Sequence, residues 1–279
     1  MQTVADELGL HTLAVEAAET ERQRPKFNRY QNHDFVGAYA VRLDPQTGEL
    51  ITAEAATFIM PRALITVHKD EHFPTGDLLA HLDANADLTV HGISALVYAL
   101  LDFVVDGHFD TVQALDDEIE KLSDMLFDDR HHDGEVQRRS YELRKSLVQL
   151  RRVVLPMREV VNTVMRRDVD LVSPAMAPYY QDLYDHVLRA SEWTDSLRDL
   201  VSTIVETNLT IQGNRLNVIT KKVTSWAAII AVPTAITGFY GQNLPYPGFA
   251  HRSGYLTSTV LIVVLSLALF ITFKRKDWL

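Results

Sequence analysis

The chain has 279 residues, with 37 Asp and Glu against 27 Lys and Arg, for a formal net charge of −10. That balance argues against a nucleic-acid partner, which needs a basic surface, and suits a protein whose charged ligand is a cation. With no cysteine, the chain has neither a disulfide framework nor a thiolate metal site, a usage that fits a reducing compartment.

Residues 1–10 include Asp6 and Glu7 and have no apolar core, so they do not read as a secretory signal. The segment to about Leu88 reads as a small α/β domain. Residues 33–41 are strand-like, Asp44-Pro45-Gln46-Thr47-Gly48 supplies turn chemistry, and residues 50–60 and 63–68 read as further strands. Residues 75–83 and 90–106 read as helices, the second strongly apolar.

After Gly107 the pattern changes to long helices. Val112, Leu115, Ile119, Leu122 and Leu126 are spaced three and four apart. A breaker follows at 128–134, containing His131-His132-Asp133. The same spacing then returns in Leu143, Leu147, Leu150, Val154, Met157, Val161 and Val164. This alternation is the seam of helices packed in a left-handed coil. Pro156 predicts a slight kink, and residues 171–178, with two prolines, predict a helix-to-helix turn. From Tyr179 no strong breaker appears, Gly213 being weak punctuation, so one continuous helix is expected from about Tyr179 to Tyr240. Acidic residues concentrate at 116–129 and 182–199, where they suit a cation site and also serve simply to solvate exposed helix faces.

Residues 223–250 carry no charged side chain, Arg252 interrupts, and residues 254–273 are again uncharged. Each run is long enough to cross a hydrocarbon core of about 30 Å as a helix. Lys221 and Lys222 precede the first span, Lys274, Arg275 and Lys276 follow the second, and the loop between them offers only Arg252. The positive-inside bias therefore places both termini in the cytoplasm and the loop outside, as in a multi-pass protein of the cell (inner) membrane.

The first span has a second periodicity. Asn217, Thr220, Thr224, Ala227, Ala231, Thr234 and Gly238, three and four apart, are all small or polar, while the other faces carry Val218, Ile219, Val223, Trp226, Ile229, Ile230, Val232 and Ile236. Small residues also line tight helix–helix contacts in membranes, but hydroxyls and an amide on the same stripe point to a water-filled path. One helix cannot enclose a pore, so the stripe predicts a ring-shaped homo-oligomer. It contains no carboxylate, and amide and hydroxyl oxygens suit an ion that keeps its water. Mg²⁺ is the divalent cation that dehydrates most reluctantly. Gly241-Gln242-Asn243 ends the run. Read alone it serves equally as a helix cap or as an outer mouth where Gly241 allows a sharp turn and Asn243 carbonyls accept from the ion's water.

These residues resemble the CorA family of magnesium and cobalt transporters. Phe239-Tyr240-Gly241-Gln242-Asn243 is similar to the family signature Gly-Met-Asn after the first of two C-terminal spans, with Gln242 in the Met place. Asn214-Arg215-Leu216-Asn217, then Lys221 and Thr224, resembles the start of its pore helix. Residues 179–186 resemble the opening of its long helix, and Tyr98-Ala99-Leu100-Leu101-Asp102 with Val105-Asp106-Gly107 the end of its α/β domain. The resemblance implies an α+β fold: a cytoplasmic α/β domain (1–106, its beginning some way inside the usual first domain and its sheet a strand or two short), a long-helix funnel of coiled-coil type (107–217), a pore-lining span (218–240), an external loop (241–253), a second span (254–273) and a basic tail (274–279), assembled as a homopentamer. It further implies that Gly241 and Asn243, with Gln242 between them, form the outer selectivity ring and that Asn217 lines the inner pore. Asp182 stands where an acidic residue binds a regulatory divalent cation between subunits, and Glu206, on the continuation of the stripe through Gly213 and Thr210, would form an acidic ring.

The departures matter for ion choice. Gln242 replaces Met at a place that also varies in the family's zinc-transporting branch. Thr220 and Ala231 stand where some members carry bulky apolar gate residues. The loop 242–253 has no Asp or Glu. The expected function is passive passage of hydrated Mg²⁺, with Co²⁺ or Ni²⁺ as alternatives, the divalent ion being substrate and regulator and no prosthetic group being required. Two other readings are a zinc or other transition-metal transporter coupled to protons, and a non-conducting coiled-coil sensor anchored in the bilayer. No nucleotide-binding loop, HExxH motif or catalytic arrangement of Ser, His and Asp is present, so an enzyme is not expected.

Overall fold

The computed structural model describes residues 2–20, 23–128, 133–166, 169–242, 245, 248 and 251–279. The chain divides into two compact units, Met1–Val205 and Glu206–Leu279.

The first unit opens with helices α1 (Gln2–Leu8) and α2 (Thr12–Glu19), which sequence reading did not anticipate. Four strands follow as an antiparallel meander in the order β1-β2-β3-β4: β1 (Lys26–Arg29), β2 (Asp34–Leu43), β3 (Leu50–Met60) and β4 (Ala63–Val67). Strand β1, short and polar, was also missed. The β2–β3 turn is built by Asp44, whose carboxylate accepts from the Gln46 amide at 2.9 Å and the Thr47 hydroxyl at 2.8 Å, and by Gly48 at φ +69°, where a side chain would be strained. The register pairs Phe35 with Phe58 and Tyr39 with Glu54.

Strand β2 is buried almost throughout, which is why it reads as a continuous apolar run instead of alternating. Phe35, Ala56 and Phe58 pack with Ala14, Val15, Ala17 and Ala18 of α2. Val36, Ala38 and Ile59 pack with Ala95, Tyr98, Leu101 and Val105 of α4 (Ile93–Phe127), which follows α3 (Thr75–Ala84) and a 3₁₀ turn (Ala86–His91).

Helix α4 does not break at Gly107 as the composition change suggested. The helix backbone runs close over β2 at this glycine: an added Cβ would stand 3.4 Å from the Val41 carbonyl oxygen, in contact without a clash. The same crossing is held by His108, whose Nε2 donates to the Tyr39 carbonyl at 2.8 Å, and by the Thr111 hydroxyl, whose one proton lies between the Gly107 carbonyl at 2.7 Å and the Val41 carbonyl at 3.2 Å.

Beyond the crossing, α4 pairs with α5 (Asp133–Val164) and with the first part of α6 (Ala177–Tyr240). The anticipated seam is buried: Val112, Leu115, Ile119, Leu122, Leu126, Leu143, Leu147, Leu150 and Val154 pack together with Ala190, Leu197 and Val201 of α6, while Met157, Val161 and Val164 join the cluster under β2 and the start of α4. Pro156 lies inside an uninterrupted α5. The turn into α6 ends slightly earlier than expected, at Ala177, and Tyr180 is locked by donating its hydroxyl proton to the Ser94 carbonyl at 2.8 Å. The expected breaker residues Asp129 to His132 lie outside the described residues.

The second unit contains the remainder of α6, which reaches Tyr240 without a break, and α7 (Arg252–Arg275). Both carry large apolar side chains to the surface, among them Val223, Ile230, Val260 and Leu267. Both helices are long and apolar enough to cross a membrane, and such exposure suits a bilayer.

His108 gives a pH test of the first unit. Complete burial pushes its imidazole down to about 4, against the opposing bond to Tyr39. The unfolded chain takes a proton below about pH 6.5 that the folded chain refuses, so stability falls as pH drops from there towards 4, by on the order of 3 kcal/mol. In thermal melts of the detergent-solubilised chain, His108→Gln, which retains a donor for the Tyr39 carbonyl, is expected to be less stable at neutral pH but to lose less of its melting temperature between pH 7 and pH 4.5.

Candidate permeation path and cation cluster

Asn217, Thr220, Thr224, Ala227, Ala231, Thr234 and Gly238 are all exposed on α6. At 3.6 residues per turn they form one face. The more covered residues of the same stretch, Ser225, Ala228, Ile229, Val232 and Ile236, fall on roughly the opposite face. The thin polar stripe is therefore not the surface that this helix buries within one chain.

Its hydroxyl chemistry is directional. The Thr234 hydroxyl donates its proton to the Ile230 carbonyl at 2.9 Å, a back-bond to the preceding turn. The oxygen's lone pairs remain, so toward the stripe Thr234 is an acceptor. Acceptors are what a hydrated cation needs, because its water oxygens face the metal and its water protons face outward. Glu206 is exposed on the same helical face, four residues before Thr210, whose hydroxyl donates to the Glu206 carbonyl at 2.9 Å.

Gly241 closes the helix. Its amide donates to the Thr237 carbonyl at 2.8 Å, and the Gln242 amide follows to Phe239 at 3.3 Å. A Cβ at 241 would stand 2.9 Å from the Thr237 oxygen, a contact that requires the turn to shift. Gln242 is exposed. Asn243 lies outside the described residues. Lys221 and Lys222 are exposed at the start of the span, and Lys274, Arg275 and Lys276 are exposed at the end of α7.

Asp182 belongs to the first unit. Its side chain is 67% exposed, with His186 one turn on at 3.8 Å. Sequence reading treated it without partners, and the structure supplies neighbours. His81 of α3 and Asp102 and Asp106 of α4 bring their ligand atoms within 4.8 Å of one another, with His81 Nε2 at 3.1 Å from Asp102 Oδ2. Partial desolvation, then the Asp102 charge, hold the Asp106 carboxyl above the usual range, while His81 and His186 oppose this. Burial and the negative charges of Asp102, Asp182 and Asp106 raise the nearby Tyr98 phenol, so Asp182 belongs to the same electrostatic neighbourhood. Two carboxylates and an imidazole are a donor set for a divalent cation. Asp102 and Asp106, four apart on one helix, were visible as a pair in the sequence, but His81 comes from another helix and gave no local signal. Elsewhere in the acidic stretch Asp195 is paired with Arg151 at 2.7 Å and Arg198 at 3.6 Å.

A family model described as CorA-like Mg²⁺ transporter protein matches residues 1–275. The cobalt/magnesium transport protein CorA of Thermotoga maritima is 28% identical over 286 residues, covering 100% of this chain and 80% of that protein. The zinc transport protein ZntB of Yersinia enterocolitica is 21% identical, covering 93% of this chain and 78% of that protein. The solved structure of the CorA magnesium transporter from Methanocaldococcus jannaschii matches with a TM-score of 0.80 at 22% identity, covering 100% of this chain and 87% of that one.

The two glycines at the end of α6 separate packing from propensity. Gly238 has nothing within 4 Å of an added Cβ, so Gly238→Ala is expected to strengthen the last turns by up to about 1 kcal/mol. Gly241→Ala is expected to loosen them. Hydrogen exchange should show amides near 241 exchanging about tenfold faster in Gly241→Ala and no faster in Gly238→Ala.

Proposed function

The chain belongs to the CorA-like Mg²⁺ transporter family, and from that membership we propose that it passes hydrated Mg²⁺ down its electrochemical gradient through the axial pore of a homopentamer. As a family member it is a divalent metal cation transporter of the membrane and not an enzyme. The observation that carries the finer reading is the uncovered stripe. One chain leaves Asn217, Thr220, Thr224 and Thr234 exposed on the face opposite the one it buries, and a ring of copies would gather those acceptors around water. Asn217 is read as the inner pore, Gly241 and Asn243 with Gln242 as the outer ring, and Glu206 as an acidic ring below the stripe. Within this reading residues 1–106 form the cytoplasmic α/β domain, 107–217 the funnel, 218–240 and 254–273 the spans, 241–253 the external loop and 274–279 the tail, with both termini in the cytoplasm.

A pore needs no fuel. One charge crossing 100 mV gains about 2.3 kcal/mol, so a divalent ion gains roughly 4.6 kcal/mol, about three decades of concentration. The same force makes a permanently open pore harmful. The cluster around Asp182, with His81, Asp102 and Asp106, supports a cytoplasmic sensor. Bound cation neutralises the repulsion among these carboxylates and favours the closed ring, and its loss loosens the ring. A few kcal/mol of differential binding suffices.

A second reading has one observation in its favour. His81 adds an imidazole to the cluster, a ligand that suits transition metals better than it suits Mg²⁺, and Gln242 stands at a place that varies in the zinc branch. Liposome flux assays with Mg²⁺, Co²⁺, Ni²⁺ and Zn²⁺ at two proton gradients separate the readings. Mg²⁺ influx is expected to follow voltage and ignore the proton gradient, and Thr234→Val, which removes an acceptor at constant shape, should slow it severalfold. Zn²⁺ flux that rises with the proton gradient, with no Mg²⁺ flux, would replace the first reading by the second. In the same assay Asp182→Asn is expected to raise the internal Mg²⁺ needed for closure by about tenfold. Unchanged sensitivity would remove Asp182 from the sensor.

A further inference from the structure

The C-terminal end of α7 is closed by a specific set of bonds. The Lys276 amide donates to the Thr272 and Phe273 carbonyls, both at 3.2 Å, the Asp277 amide to Lys274 at 3.4 Å, and the Trp278 amide to Phe273 at 3.0 Å. Asp277 takes the left-handed conformation at φ +53°. This is the Schellman closure, which brings the residue after the left-handed one back against the last turn. Here that residue is Trp278, and its indole stacks on Phe273 with ring centroids 5.8 Å apart and planes 10° from parallel. One turn earlier the Lys274 ammonium stands 5.8 Å from the centre of the Phe270 ring.

The closure fixes chemistry as well as backbone. Lys274, Arg275 and Lys276 are exposed, and among the described residues none of them pairs with a carboxylate. They are splayed around the end of a helix whose sides are exposed and apolar, at the point where a span leaves hydrocarbon. The indole, apolar in body and polar at its N–H, is folded back to the level of the cations instead of trailing into solvent. Trp at a membrane boundary prefers the headgroup layer, and juxtamembrane cations attract anionic lipid. The chain as a whole carries −10, so an anionic surface is met favourably only through such a local patch. Lys221 and Lys222 flank the same boundary, since two spans joined by a short loop return to the side they left.

We propose that the closed end of α7 is a headgroup site for anionic phospholipid. Lys274, Arg275 and Lys276 take the lipid phosphodiester, while Trp278, held on Phe273, sits beside them at headgroup depth and keeps the three cations in the plane of the phosphates. Asp277 provides the left-handed turn and sets an opposing charge within this patch.

The test uses the full chain in mild detergent, with phosphatidylglycerol, phosphatidylcholine and inorganic phosphate as probes and native mass spectrometry as readout. Each juxtamembrane cation is worth roughly fivefold in anionic-lipid affinity. Phosphatidylglycerol is therefore expected to be retained at least tenfold over phosphatidylcholine. Lys274→Gln/Arg275→Gln/Lys276→Gln should abolish that preference, while the charge-matched Arg144→Gln/Lys145→Gln/Arg152→Gln, three exposed cations of α5, should keep it. Trp278→Ala should weaken retention severalfold, and Trp278→Phe, which preserves the stack, should restore most of it. Circular dichroism of each variant establishes that the helices are intact. Equal retention of the two lipids, an undiminished preference in the triple variant, or displacement of the lipid by millimolar phosphate would each overturn the proposal.

Discussion

In hydrocarbon an amide that finds no partner has no water to fall back on, and each such group costs several kcal/mol. A spanning segment must satisfy its backbone within itself, and α6 and α7 do so as helices except at Pro233 inside α6, which has no amide to offer the Ile229 carbonyl. Apart from that carbonyl, the polar groups they present are side chains and helix ends. On α6 Asn217, Thr220, Thr224 and Thr234 fall on one narrow face, with Ser225 on the covered side and Thr237 off the stripe, and the helix end is sealed by the Gly241 amide on Thr237. The backbone constraint thus turns a question about permeation into one about a single row of side chains.

That row suits an ion with its water attached. A bare divalent cation at low dielectric would require charge to replace its hydration, and the stripe has none. A hydrated one requires acceptors for outward-pointing water protons. The back-bond that commits the Thr234 proton to Ile230 makes its hydroxyl such an acceptor, and amide carbonyls behave alike. Charge is placed elsewhere: carboxylates occur around His81, at Asp102 and Asp106, and are absent from the stripe. An imidazole among those carboxylates, His81 against Asp102, gives this cluster a softer donor than oxygen alone.

The ends of the helices do separate work. Gly241 is dictated by space, because a Cβ would press on the Thr237 carbonyl. Gly107, which looks like a breaker, lies inside an unbroken α4 where it passes over β2. Asp277 tolerates a left-handed turn that folds Trp278 onto Phe273. Two glycines and one aspartate thus stand at different places, a helix end, a close crossing and a reversal, and only the neighbours of each say which.

The sequence by itself determined the two apolar runs, their polar stripe, the three-four seam of the long helices and the strands β2 to β4. Each of these is a periodicity in the chain, set by burial or by the bilayer, so it is legible without coordinates. Strand β1 and helices α1 and α2 were not legible. They are short, and their place is set by pairing with β2 and by covering Phe35 and Phe58. Tertiary structure alone decided that α4 runs unbroken through Gly107, that His81 joins Asp102 and Asp106, and that the stripe lies opposite the face α6 buries. Those facts depend on which surfaces meet across long separations in sequence, and local pattern carries no information about that.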